Sequence, residues 1–138
     1  MMPTAGYSGT PLAKKLGIKP DFKIKIFEAP KHYFDLFADW PEGVEQVAHP
    51  DPESLDFIHV FTLNSEALEK YVPMAKPFLK KNGSLWVSWP KGSSGMQTNI
   101  NRESIRDFVL KIGLVDVKVA AVDENWSGLK VMYRTKDR

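Results

Sequence analysis

The run Ser84-Leu85-Trp86-Val87-Ser88-Trp89-Pro90 passes directly into Lys91-Gly92-Ser93-Ser94-Gly95, and a helical repeat follows. The first part is apolar and aromatic without helical spacing, so it reads as a short buried strand. The second part is small and flexible and carries one lysine. Asn101 then caps a helix in which Ile105, Phe108, Val109 and Ile112 recur at helical spacing, and Gly113 closes it. Strand, small-residue loop and helix in this order belong to an α/β protein, where the loop can form an anion or ligand pocket.

The rest of the chain agrees. Thr10-Pro11 reads as a helix start, with Thr10 as N-cap and Pro11 in the first turn, ending near Gly17. Strands are expected over 22–28, 44–48 and 56–62. A helix over 30–38 would place Tyr33, Phe34 and Phe37 inward. Asn64 or Ser65 caps the next helix, whose apolar face uses Leu68, Val72, Ala75 and Leu79. Pro73 and Pro77 predict a kink or a split, and Asn82-Gly83 a stop before the strand at 84–89. Alternating strands at 114–122 and 129–135, with a turn over 125–128, form a terminal hairpin. The sum is a three-layer Rossmann-like domain over 1–138: a mostly parallel sheet of about six strands with helices on both faces and a C-terminal antiparallel hairpin. Residues 1–10 read as a polar lead-in, open to motion, from which Tyr7, Ser8 and Thr10 could reach the pocket mouth.

Composition narrows the functional classes. The 138 residues suit one domain, and a hydrophobic share of 43% is enough for a core. A formal charge of +2 argues against a dedicated nucleic-acid surface. The chain has no cysteine, which excludes thiol chemistry and Cys-based metal sites. No signal peptide and no membrane-spanning apolar run are evident, so the expected setting is cytoplasmic.

In such a sheet, ligands sit beyond the carboxyl ends of the parallel strands. The candidate binding residues there are Glu28, Asn64, Trp89, Lys91, Ser93, Ser94, Gly95, Asp123, Glu124 and Trp126. The Lys91 loop can cradle an anion or be a solvated connector, and it lacks P-loop spacing. Asp123 and Glu124 beside Trp126 can bind a polar ligand or form an ordinary turn, with the turn favoured because adjacent acids point apart. His59, mid-strand, reads as a satisfied core histidine. His32 and His49 lie near strand ends without a metal-ligand spacing, so no metal is expected. Glu28 can fill the pocket, pair with Lys91 or face water.

Three strings, Leu16-Gly17-Ile18-Lys19-Pro20-Asp21-Phe22, Leu79-Lys80-Lys81-Asn82-Gly83-Ser84-Leu85 and Gly113-Leu114-Val115-Asp116-Val117, give the chain an element order that resembles a truncated class I methyltransferase. A closer resemblance is to a family of small uncharacterised bacterial proteins (domain of unknown function 3052). Its carriers are Ala5-Gly6-Tyr7-Ser8-Gly9-Thr10-Pro11-Leu12, Leu85-Trp86-Val87-Ser88-Trp89-Pro90-Lys91 and Val122-Asp123-Glu124-Asn125-Trp126-Ser127-Gly128-Leu129. That family implies no activity.

The first resemblance implies a glycine-rich cofactor loop after the first strand and an acid after the second. Phe27-Glu28-Ala29-Pro30-Lys31 and Val47-Ala48-His49-Pro50 stand there instead. Side chains and a proline ring occupy what the S-adenosylmethionine loop leaves open. The expectation is therefore a retained fold with no cofactor. The chain would be a non-catalytic module for a small anionic ligand or a protein partner, with a homodimer through the hairpin as one form. An atypical S-adenosylmethionine-dependent methyltransferase, or another transferase, is the alternative.

Overall fold

The computed structural model describes residues 10–138. Tyr7 and Ser8 of the lead-in lie outside the described residues, and Thr10 is exposed. Six strands form one sheet in the order β2-β1-β3-β4-β6-β5. These are β1 (Lys23–Phe27), β2 (Glu45–Gln46), β3 (Leu55–Phe61), β4 (Leu79–Pro90), β5 (Leu114–Ala121) and β6 (Trp126–Tyr133). The first four pair in parallel, and β6 inserts antiparallel between β4 and β5.

Side-chain alternation along the central strands sends residues to both faces, as a covered parallel sheet requires. On one face, Ile58, Val60, Leu85, Val87, Leu129 and Val131 pack under α2 (Ser65–Ala75) and α3 (Arg102–Lys111). On the other, Ile24, Phe57 and Trp86 meet Ala13 and Leu16 of α1 (Leu12–Leu16). Phe61 and Trp126 there meet Tyr33.

Local chemistry explains the departures from the sequence reading. Pro11, rather than Thr10, occupies the N-cap of α1 and makes no side-chain cap. The Asp39 carboxylate does this work from a distance, accepting from the Ala13 and Lys14 amides at 3.2 Å each. The helix expected over 30–38 shortens to a 3₁₀ turn, Tyr33–Leu36. Three residues per turn cannot bring Tyr33, Phe34 and Phe37 to one face. Tyr33 is buried and Phe34 is 44% exposed.

Helix α2 ends at Ala75, and Pro77 sits in a 3₁₀ turn after it. Leu79 therefore belongs to β4, and Asn82-Gly83 lies inside the strand. Between Leu55↔Leu79 and Phe57↔Ser84 the longer β4 segment bulges. A Cβ on Gly83 would stand 3.0 and 3.1 Å from the Leu55 and Asp56 carbonyl oxygens. The backbone itself would have to yield, so Gly83→Ala is expected to lower stability by about 1–3 kcal/mol in urea melts. At the hairpin, Gly128 is a strand residue opposite Ser88, and the turn lies over 122–125.

Candidate functional site

The chain leaves β1 for β2 on one side and returns to β3 on the other, so strand order reverses between β1 and β3. Such a switch point is where open α/β sheets hold ligands. Here Glu28 follows β1 with φ 57°, a left-handed conformation that favours glycine. Its carboxylate accepts a hydrogen bond from the Tyr71 hydroxyl of α2. That bond, followed by partial desolvation and the nearby charge, pushes the Tyr71 phenol up from its ordinary range. Glu28 is thus engaged with Tyr71, and among the described residues no ion pair joins it to Lys91.

Asn64 is the N-cap of α2, its Oδ1 accepting from the Ala67 amide at 2.9 Å. The next free amide, that of Ser65, donates to Asn99 Oδ1 at 2.8 Å, and Asn99 Nδ2 donates to Ser65 Oγ at 3.2 Å. The segment between β4 and α3 is thereby tied to the end of α2. An open cleft of ≈ 540 Å³ lies between them, lined by Asn64, Met96, Gln97, Thr98 and Asn99. Its lining combines amide and hydroxyl groups with the apolar Met96 side chain, without charge.

The Lys91 loop folds into a 3₁₀ turn, Gly92–Ser94, with Gly95 at φ 78°. The Ser94 hydroxyl donates to the Lys91 carbonyl at 2.7 Å and accepts from the Met96 amide at 3.1 Å. Lys91 N donates to the Asn125 carbonyl at 2.8 Å. Ser94 therefore closes the loop on itself, while Lys91 is half-buried and Ser93 and Gly95 are exposed.

Asp123 and Glu124 diverge. Asp123 is 5% exposed, and its Oδ1 accepts the Asn125 and Trp126 amides at 2.8 Å each. Its Oδ2 lies 3.0 Å from His32 Nε2. Glu124 is exposed. Trp126 packs edge-on against Phe61 at 4.9 Å, and Trp89 is buried on the α2/α3 face. Asp123 and Trp126 anchor the turn. His32 and Asp123 meet although far apart in sequence, so no spacing rule could have paired them.

His59 forms a buried relay. Its Nδ1 lies 3.0 Å from the Tyr33 hydroxyl and its Nε2 lies 2.7 Å from Ser88 Oγ. Burial pushes the imidazole down to about 3 and the Tyr33 phenol up, so both are neutral. This relay has no opening to solvent at any of its three side chains and belongs to the core.

No family model matches the chain, and no curated protein matches it. Solved structures do. A SAM-dependent methyltransferase from Aquifex aeolicus superposes with a TM-score of 0.64 at 13% identity, over 88% of this chain and 87% of that one. The fold is that of a class I methyltransferase. A ribosomal protein L11 methylase from Lactobacillus delbrueckii subsp. bulgaricus matches at 0.56 and 12%, over 88% and 74%. A TehB-like SAM-dependent methyltransferase from Corynebacterium glutamicum matches at 0.54 and 11%, over 94% and 91%. At these identities the likeness concerns architecture alone. At the end of β1, where the resemblance implies a cofactor loop of glycines, the chain sets a strained Glu28, Ala29 and Pro30. The glycines of such a loop are absent from this segment.

Proposed function

We propose that this chain is a non-methylating module on the class I methyltransferase fold, related to the uncharacterised family that its three strings resemble. Its ligand is a small polar molecule held at the carboxyl ends of β3 and β4. The observation that carries this reading is the Glu28–Tyr71 bridge. A residue with a left-handed backbone, its side chain fastened to α2, stands at the switch point. Beside Asn64 lies the open cleft walled by Met96, Gln97, Thr98 and Asn99. The hydrogen-bonding pattern of two asparagines, a glutamine and a threonine suits carbonyl, amide and hydroxyl groups.

A dimer built by pairing outer strands is disfavoured by the edge itself. Strand β5 carries a bulge between Asp116 and Lys118, and Lys118 is exposed, both of which blunt strand pairing. Among the described residues no helix is long and apolar enough to cross a membrane.

Amide chemical-shift mapping against a panel of polar metabolites tests the reading. Saturable shifts at Asn64, Gln97, Thr98 and Asn99 are expected from at least one compound class. Shifts centred on Phe27 and Glu28 with S-adenosylmethionine would instead support the methyltransferase alternative. The bridge has its own check. Glu28→Gln removes the charged acceptor, so Tyr71 should titrate closer to an ordinary tyrosine, read by NMR over an alkaline pH series. An unchanged Tyr71 would show that the bridge does not persist in solution.

A further inference from the structure

Lys118 of β5 and Lys130 of β6 stand directly opposite each other. Facing like charges on an antiparallel pair destabilise a sheet, and a carboxylate normally relieves them. Among the described residues no carboxylate lies within ion-pair distance of either lysine. Residues 1–9 contain no Asp or Glu in the sequence.

The pair belongs to a row of three. Lys118 Nζ lies 5.9 Å from the ring of Trp86, on the face that carries α1. Lys15 of α1 reaches the same place, its Nζ donating to the Ala121 carbonyl at 2.9 Å. Partial burial, then the charges of Lys91 and Lys118, lower the Lys15 ammonium from its ordinary range. Partial burial, then Lys118 and Lys19, do the same to Lys130. Lys15, Lys118 and Lys130 thus form a short row on the face that carries α1, and the charges of Lys91 and Lys19 are felt beside it. A formal charge of +2 for the whole chain conceals this concentration on one face.

We infer that this row binds a linear polyphosphate chain laid along the sheet. A line of ammonium groups matches a line of phosphates, which needs charge at intervals and no other recognition. Single-stranded nucleic acid would require ring platforms for its bases. The one aromatic shown against the row is Trp86, which is fully buried beneath Lys118. The surface is separate from the amide-lined cleft and shares none of its lining residues, so the two readings stand or fall apart.

The test is calorimetric titration at low salt with short-chain inorganic polyphosphate, orthophosphate, a single-stranded oligonucleotide and polyglutamate. Polyphosphate should bind saturably and orthophosphate weakly. Lys118→Gln and Lys130→Gln should each weaken polyphosphate roughly 10-fold, while Lys111→Gln on α3 changes nothing. Relief of the facing charges should also raise the melting temperature of Lys118→Gln by about 2 °C without ligand. Unaltered polyphosphate affinity in both variants would overturn the inference, as would absent binding. Equal or tighter binding of the oligonucleotide or polyglutamate would replace the ligand class.

Discussion

Acidifying the protein from about pH 7 to about pH 4 should remove about 3 kcal/mol of stability through His59 alone. The ring is fully buried, lies against Phe61 at 4.3 Å and is held neutral to about pH 3. In the unfolded chain an imidazole takes up its proton near pH 6.5. Above that value neither state binds the proton, and the full stability is present. Between the two values the unfolded state binds more protons than the folded one, so stability falls as pH falls. Below about pH 3 both states are protonated and this contribution levels off. Urea denaturation over a pH series measures the effect, with His59→Gln as the non-titrating reference. The wild type should lose about 3 kcal/mol more than the variant across the window. Parallel curves would show that His59 is not held neutral in the fold.

The second large effect is expected at Trp86. The side chain has no exposed surface and joins β4 to α1, its indole donating to the Leu16 carbonyl at 2.9 Å. Strand β6 makes room for the ring by carrying Gly128, where a Cβ would stand 2.9 Å from Trp86 Cε3. Trp86→Ala should cost about 3–5 kcal/mol, from lost burial, an unfilled cavity and an unpaired Leu16 carbonyl. It should also speed amide exchange in α1, a short helix that packs on this ring. Trp86→Phe should retain more than half of the lost stability. A cost below about 1 kcal/mol for the alanine variant would mean that α1 is not docked on the sheet.

Much of the fold was legible because its signals are local. Val60, Val87, Ile105 and Val109 follow strand or helix periods, and Asn64 and Asn101 cap the helices they precede. What the sequence hid was set by partners distant along the chain. Asp39 caps α1 from the far side of a turn, and nothing near Pro11 announces it. Phe34 turns outward, while Tyr33 stays buried, because the helix tightened to 3₁₀.

The meeting of the loops was legible, and their contacts were not. The loops converge at the strand ends, as the alternation of elements implied. Glu28 turned to Tyr71 rather than Lys91, Ser94 closed its own loop, and Asp123 met His32. Gln97, Thr98 and Asn99 carry no motif, and only the tie between Asn99 and Ser65 makes them a wall. The lysines could not be read as a row, because β5, β6 and α1 had first to be brought together.

The central claim is that Glu28, fixed by Tyr71, occupies the place of a cofactor loop on a class I methyltransferase fold. Calorimetric titration of the full chain with S-adenosylmethionine tests it most directly. The account predicts no saturable heat up to millimolar concentration. Stoichiometric binding to the unmodified chain, abolished by changing residues at the end of β1, would contradict it.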